Sequence, residues 1–328
     1  MSEVAYGSSA KLAFARQTTD LLTAQPAGTG DWLFFPCASF RLGQTQAFEA
    51  ADLLGLGRDP SRADRGVLEG RGTCRVPIDL RYLGHWLTMC FGPPDTTPDT
   101  GNSNLHKWTS GGAGDTITGY TIEQQHEDIA SPVYFQHIGV VVDSLTVVLE
   151  ATGRAYFDLN LLSHGFKALQ ASAAGNPGEL TFERFSQFEN YIKMDNADLG
   201  KVVRVTMPYA NNYSLERYVG GGGDVDEIGP GQTTAAGELV ARIKDTTLMD
   251  HSVDADTFTL EFGYMKDAMR MLSFKCAQAE FARAAPGLDG PGGAEITFPL
   301  APSRTTTDPM LTVELINDQP SGTYGTAA

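Results

Sequence analysis

Short stretches of alternating apolar and polar residues, set off by glycines, constrain this chain more than any other feature. In residues 72–80, GTCRVPIDL, the side chains of Cys74, Val76, Ile78 and Leu80 alternate with Thr73, Arg75, Pro77 and Asp79. A period of two is the mark of a strand with one buried face, and Pro77 on the outward set points to an edge or a bulge. The same reading gives strands at 116–125, 139–149 and 155–163, the last two joined as a hairpin across residues 150–154. In the second half it gives strands at 201–209, 237–245, 257–265, 273–281, 295–300 and 310–318. Glycine, 36 of 328 residues, exceeds the roughly 7% norm and falls between these stretches, as turns require. Helical spacing is confined to two places. Leu83, Trp86, Leu87, Cys90 and Phe91 predict a helix ended by Gly92-Pro93-Pro94, and residues 44–54 predict a second, stopped by Gly55. Residues 92–115 and 220–231 are expected to be long loops, the first holding Trp108 near its far end. The fold class is therefore mainly β.

Charge and cysteine content narrow the function. Lys and Arg number 24 against 40 Asp and Glu, a net charge of −16. The acid is spread evenly, −7 over residues 1–164 and −9 over 165–328, so no basic nucleic-acid-gripping domain is hidden behind an acidic tail. No window of eighteen apolar residues exists, and the N-terminal residues lack the pattern of a secretory signal; neither a membrane span nor a leader is expected. Cys37, Cys74, Cys90 and Cys276 have no metal-ligand spacing and at least two sit in apolar runs, which predicts buried free thiols.

The second constraint is self-similarity. When Gly72 is set on Gly237, Cys74, Val76 and Ile78 fall on Leu239, Ala241 and Ile243. A polar, glycine-bearing stretch precedes each strand, and a short helix-like piece follows (80–91 against 246–250). A further strand comes next, then a strand pair (139–149 with 155–163 against 273–281 with 295–301). Element order matches better than residue identity. A tandem duplication of a small β unit is expected, with residues 1–31 as an N-terminal arm, 32–165 as the first module and 166–328 as the second, the latter carrying an insert at 166–198.

With these elements in place the chain resembles the two-module tail tube proteins (major tail proteins) of long-tailed bacteriophages. The resemblance rests on RVPIDLRYLGHWLTMCFGPPDTT, GVVVDSLTVVLEATGRAYFDLNLLSHG, YSLERYVGGGGDVDEIGPGQTTAAGELVARI, APGLDGPGGAEITFPLAP and the closing MLTVELIND, and spans about residues 32–318. It implies tandem β-sandwich or barrel-like modules, each with a short flanking α-helix, that extend their sheets into neighbours to make stacked rings. Those rings form a tube for DNA ejection into the host. It implies a virion protein assembled in the host bacterial cytoplasm, without catalysis or cofactor. Its partners would be itself, as a pseudo-sixfold trimer or alternatively a hexamer, together with a tape measure protein and a tail terminator. Viral DNA would pass without specific binding. On this basis Asp95, Asp99, Trp108, Asp224, Asp226 and Glu227 are candidates for loops between subunits or rings, and Arg75, Asp79, Glu238 and Arg242 for strands of the ring sheet. A terminator or baseplate-proximal ring is the nearest alternative. A glycan-binding sandwich using Tyr209, Tyr213 and Tyr218 is the alternative from another class.

Catalytic signals are weak by comparison. Phosphate-binding, zinc-protease, nucleophile-elbow and dinucleotide motifs are missing from the sequence. His126, Glu127 and Asp128 are consecutive, and neighbours on a strand point to opposite faces. Asp254 and Asp256, like Asp224 and Asp226, lack the frame of a calcium loop. His85, Trp86 and Phe91 read as packed core.

Overall fold

The computed structural model describes residues 6–28, 32–49, 59, 62–111, 117–220, 223–285 and 294–325. The first half contributes β1 (Lys11–Arg16), β2 (Leu33–Phe34), β3 (Ser39–Glu49), β4 (Asp64–Pro77), α1 (Leu83–Phe91), β5 (Asp95–Pro98), β6 (Asn104–Thr109), β7 (Tyr120–His126), β8 (Val133–Glu150), β9 (Tyr156–Ser163) and β10 (Gly165–Leu169). A single 3-10 turn (Gln187–Glu189) leads to β11 (Asn190–Met194), β12 (Ala197–Asp198), β13 (Val202–Ala210), β14 (Ser214–Glu216), β15 (Glu227–Gly229) and β16 (Thr234–Ala235). The chain continues through β17 (Gly237–Arg242), α2 (Thr247–Asp254), β18 (Phe258–Asp267), β19 (Arg270–Phe281), β20 (Glu295–Ser303) and β21 (Thr312–Asn317).

The named ladders are all antiparallel, and they follow one scheme twice. In the first half β3 pairs with β4, β4 with β9, β9 with β8, β8 with β7 and β7 with β1, while β10 lies beside the start of β8. In the second half β13 pairs with β17, β17 with β20, β20 with β19, β19 with β18 and β18 with β11, while β21 lies beside the start of β19. The two halves thus share one order of strand partners. The sheets are those of a sandwich, and among the described residues no closed barrel forms.

β8 serves two sheets. Its start pairs with β7 and β10, and its end pairs with β9 and β13. The bend between them sits at Gly139, whose φ of 63° is costly for any other residue. A Cβ there would stand 2.3 Å from the Leu21 carbonyl oxygen and 2.9 Å from the Cβ of His164. The register slips again between Val142 and Ser144, where a bulge adds twist.

Both helices follow the strands that pair with the returning hairpin, but they are packed differently. Every residue of α1 except Phe91 is buried, whereas in α2 only Ser252 is. Main-chain N–H groups of Arg81 and Tyr82 donate to the Asp79 carboxylate (2.9 and 2.8 Å) just ahead of α1.

Several expectations change. Residues 44–49 continue β3 rather than forming a helix, and 50–54 lie outside the described residues. The 92–115 stretch is largely the hairpin β5–β6. Lys11–Arg16 is no loose arm: β1 is a buried strand between β2 and β7. The 166–198 stretch supplies β10 and β11, and between them Leu80 N–H donates to the Glu183 carbonyl (2.8 Å) and Phe185 N–H to that of Ile78 (2.9 Å). Cys37, Cys74, Cys90 and Cys276 are free thiols, the last three buried.

Candidate functional site

Two ladders join the first half of the chain to the second. β13 is the first strand of the repeated scheme in the second half, and its other edge pairs with the end of β8 over residues 204–210 against 150–144. A second ladder crosses between the halves where β6 pairs with β21, residues 104–109 against 317–312. Above the first ladder the β14–β15 hairpin folds back and buries Val225 and Ile228 against Val141 and Leu162. Full burial of each such aliphatic side chain is worth about 1.5–3 kcal/mol.

Polar groups lock this joint. Asn211, just past β13, receives a hydrogen bond from the Tyr209 hydroxyl (3.0 Å) and donates its own amide to the carbonyls of Cys90 (2.8 Å) and Val142 (3.0 Å). It thereby satisfies a helix-end carbonyl that α1 leaves open. The Tyr209 ring packs on Phe91 with centroids 4.7 Å apart. At the start of α1, the Arg81 guanidinium makes a paired contact with Asp318 (2.8 and 2.6 Å) and approaches Glu183 at 3.7 Å. Glu183 also receives Lys266 (3.0 Å) and Arg270 (2.8 Å). The hydrogen bond from Lys266 holds the Glu183 carboxyl below the ordinary carboxylate range, and that from Arg81 does the same for Asp318. Tyr324 closes the assembly by lying flat on Gly84, where any Cβ would meet its ring at 2.3 Å, and its hydroxyl donates to the Arg81 carbonyl (2.7 Å).

The outer edges of the same sheets lack such partners. Among the described residues, β4 alone pairs with β3 and β8 alone with β10. Beyond residue 44, β3 and the start of β4 run on as a two-stranded arm that carries an exposed Phe48 and Val67 and is tied down at Leu68, whose N–H donates to the Gly223 carbonyl (3.2 Å) and whose carbonyl accepts from Arg217 (2.6 Å).

The sequence-derived candidates divide on this frame. Trp108 is overturned as a loop anchor: it lies in β6, 1% exposed, with its indole N–H donating to the Thr88 hydroxyl (3.3 Å). Asp79 is overturned as an outward strand position. The alternation ends at Pro77, and Asp79 is buried, with its carboxyl pushed up to about 6 by that burial. Asp95 is exposed on β5 opposite Lys107, and Asp99 sits in the β5–β6 turn. Asp224 is exposed. Asp226 and Glu227 take hydrogen bonds from the Tyr218 main-chain N–H (2.7 Å) and hydroxyl (3.0 Å). Arg75, Arg242 and Glu238 are exposed or half-exposed and pair across neighbouring strands with Asp158 (3.4 Å), Glu295 (3.2 Å) and Arg204 (2.7 Å). The three tyrosines of the glycan reading do not form one face, since Tyr209 is in the core and Tyr218 in an exposed turn. Nor do His126, Glu127 and Asp128 converge: Glu127 pairs with Lys11 (3.3 Å) and Asp128 accepts from the Tyr6 N–H (2.9 Å). Sequence reasoning missed Asn211 and the β8–β13 ladder.

Within the chain, then, two sets of strands with the same pairing order are joined through the β8–β13 ladder. The family model for phage tail tube protein matches residues 7–302. The chain belongs to the phage tail tube protein family. Membership makes it a structural component of a virion tail. Compared with curated proteins, the chain finds no match. Among the described residues no helix is long and apolar enough to cross a membrane.

Proposed function

We propose that the chain associates with copies of itself into rings that stack as the tail tube, the conduit through which viral DNA leaves for the host. The observation that carries this reading is the β8–β13 ladder, which makes one sheet out of two like-paired halves. A unit that joins its own halves edge to edge, and among the described residues leaves β3 and β10 unpaired at their outer sides, has the heterologous contact from which closed rings are built. With two such halves per chain, three chains give a ring of pseudo-sixfold symmetry; a six-chain ring is the alternative count. The tape measure protein and the tail terminator are the other tail partners, and assembly takes place in the host bacterial cytoplasm.

The net charge of −16 suits a conduit, because carboxylates repel phosphate and release none of its counterions. The chemistry required of the subunit is association alone. Negative-stain microscopy of concentrated protein tests the proposal. Long regular tubes are the expected result, isolated rings would favour a terminator-like part, and single particles of chain size at every concentration would overturn self-assembly.

A further inference from the structure

We infer that the outer edge of β3 adds to residues 281–285 of a second copy of the chain, so that the joint between molecules repeats the β8–β13 joint inside each one. The inference rests on the proposed self-assembly and names the surfaces it uses. It follows from setting the two halves on each other by their ladders. On β8, Ile138 faces β10 and Val141 faces β9, three residues later; on β19, Lys275 faces β21 and Gln278 faces β20, again three residues later. Ser144, where the β13 ladder begins on β8, therefore corresponds to Phe281. On the other side, setting Gly72 on Gly237 places Thr73 on Glu238, so their partners Arg41 and Thr206 coincide, with the buried Leu42 and Met207 one step on. Residues 41–45 of β3 then occupy the place that 206–210 of β13 take against β8.

Among the described residues, neither member of this second joint has a strand on the side the joint would use. β8 runs on as a strand to Glu150 along β13, but β19 ends at Phe281. Past that point Ala282 N–H donates to the Pro299 carbonyl (2.9 Å), and among the described residues no strand pairs with 283–285. The segment reads Phe-Ala-Arg-Ala-Ala, with small side chains where a neighbouring backbone must come close. In the derived register Arg283 faces Gly43, and the space a Cβ would take at Gly43 is open, with nothing within 4 Å. The β3 edge is also the edge of an 11-residue strand, and an edge of that length left bare invites pairing with another chain.

The test mixes full-length protein carrying Gly43→Cys with full-length protein carrying Arg283→Cys, with Ala285→Cys in parallel to allow for a bulge-sized shift of register. Mild oxidation is followed by sedimentation and peptide mass spectrometry. The expected result is a disulfide joining residue 43 of one molecule to residue 283 or 285 of another, with neither single variant giving it alone. As a second arm, Arg283→Pro removes a main-chain donor from the joint; it should raise the concentration needed for assembly by about tenfold or more while leaving the circular dichroism of the subunit unchanged. Assemblies that form normally with no such bridge, and that Arg283→Pro leaves intact, would overturn this joint but leave self-assembly standing. Failure of the unmodified protein to assemble at all would sink both.

Discussion

Asp79 shows how one residue changes meaning between a sequence and a fold. Read along the strand it alternates outward; in the structure β4 ends at Pro77, the chain runs on beside residues 183–185, and the carboxyl is buried at the start of α1. Its carboxyl is raised to about 6 from an ordinary value of 3.8, with burial the leading cause. The folded state therefore holds this proton more tightly than the unfolded chain, so the group's contribution to stability is complete below pH 4 and is lost as pH rises through about 6. The shift corresponds to a loss on the order of 3 kcal/mol. Asp79→Asn should remove that slope, and urea titrations of both proteins between pH 4 and 7 would read the difference; parallel curves would refute it. Glu183 and Asp318 act in the opposite sense. Their lowered carboxyls stabilise above the ordinary carboxylate range, and that stability is lost as pH falls through it. At Asn211, truncation to Ala strands the buried Cys90 and Val142 carbonyls, at a cost of about 1–3 kcal/mol. A midpoint of denaturation unchanged within error would show that these bonds carry no weight.

At the scale of elements, strands were legible where one face is buried, because period-two alternation is a local consequence of that burial. β17 to β20 fall close to their expected limits for this reason. Residues 44–49 misled because the arm they build is exposed on both faces, so no burial pattern disciplines the sequence there. Trp108 misled because glycine- and proline-rich stretches flank the six residues of β6, while the surface that buries its ring comes from α1 and Tyr324, far away in the chain. The correction alters what can be cut. Shortening the turn at 99–103 should leave a folded subunit, whereas deleting β5 and β6 removes the strand beside β21 and should unfold it, as thermal melts would show. Gly139→Val tests the bend in β8: steric conflict with the Leu21 carbonyl and the unfavourable φ predict a loss of about 2 kcal/mol or more. Retained stability would mean that the bend is not fixed by this residue.

For the molecule as a whole, the shared pairing order of the two halves was legible as an order of elements, since ladders keep spacings that residue identities do not. The joint between the halves was not visible. Its two strands lie far apart in sequence, and pairing between them leaves no mark on either one alone. The electrostatic reading belongs to this scale too. If the inner wall of the tube is acidic, replacing several of its carboxylates by Lys should leave tubes of normal appearance that release DNA more slowly. Ejection rates indistinguishable from the parent would remove charge from the explanation.

The β8–β13 ladder also has a thermodynamic corollary. Because it lies within a single polypeptide, it closes during folding at an effective concentration that dilution cannot lower. In any ring of these chains every other junction is thus insensitive to subunit supply. Disassembly would shed whole polypeptides and never half-units, and the mass-action penalty of ring closure would fall on half as many encounters as a ring of unfused modules must complete.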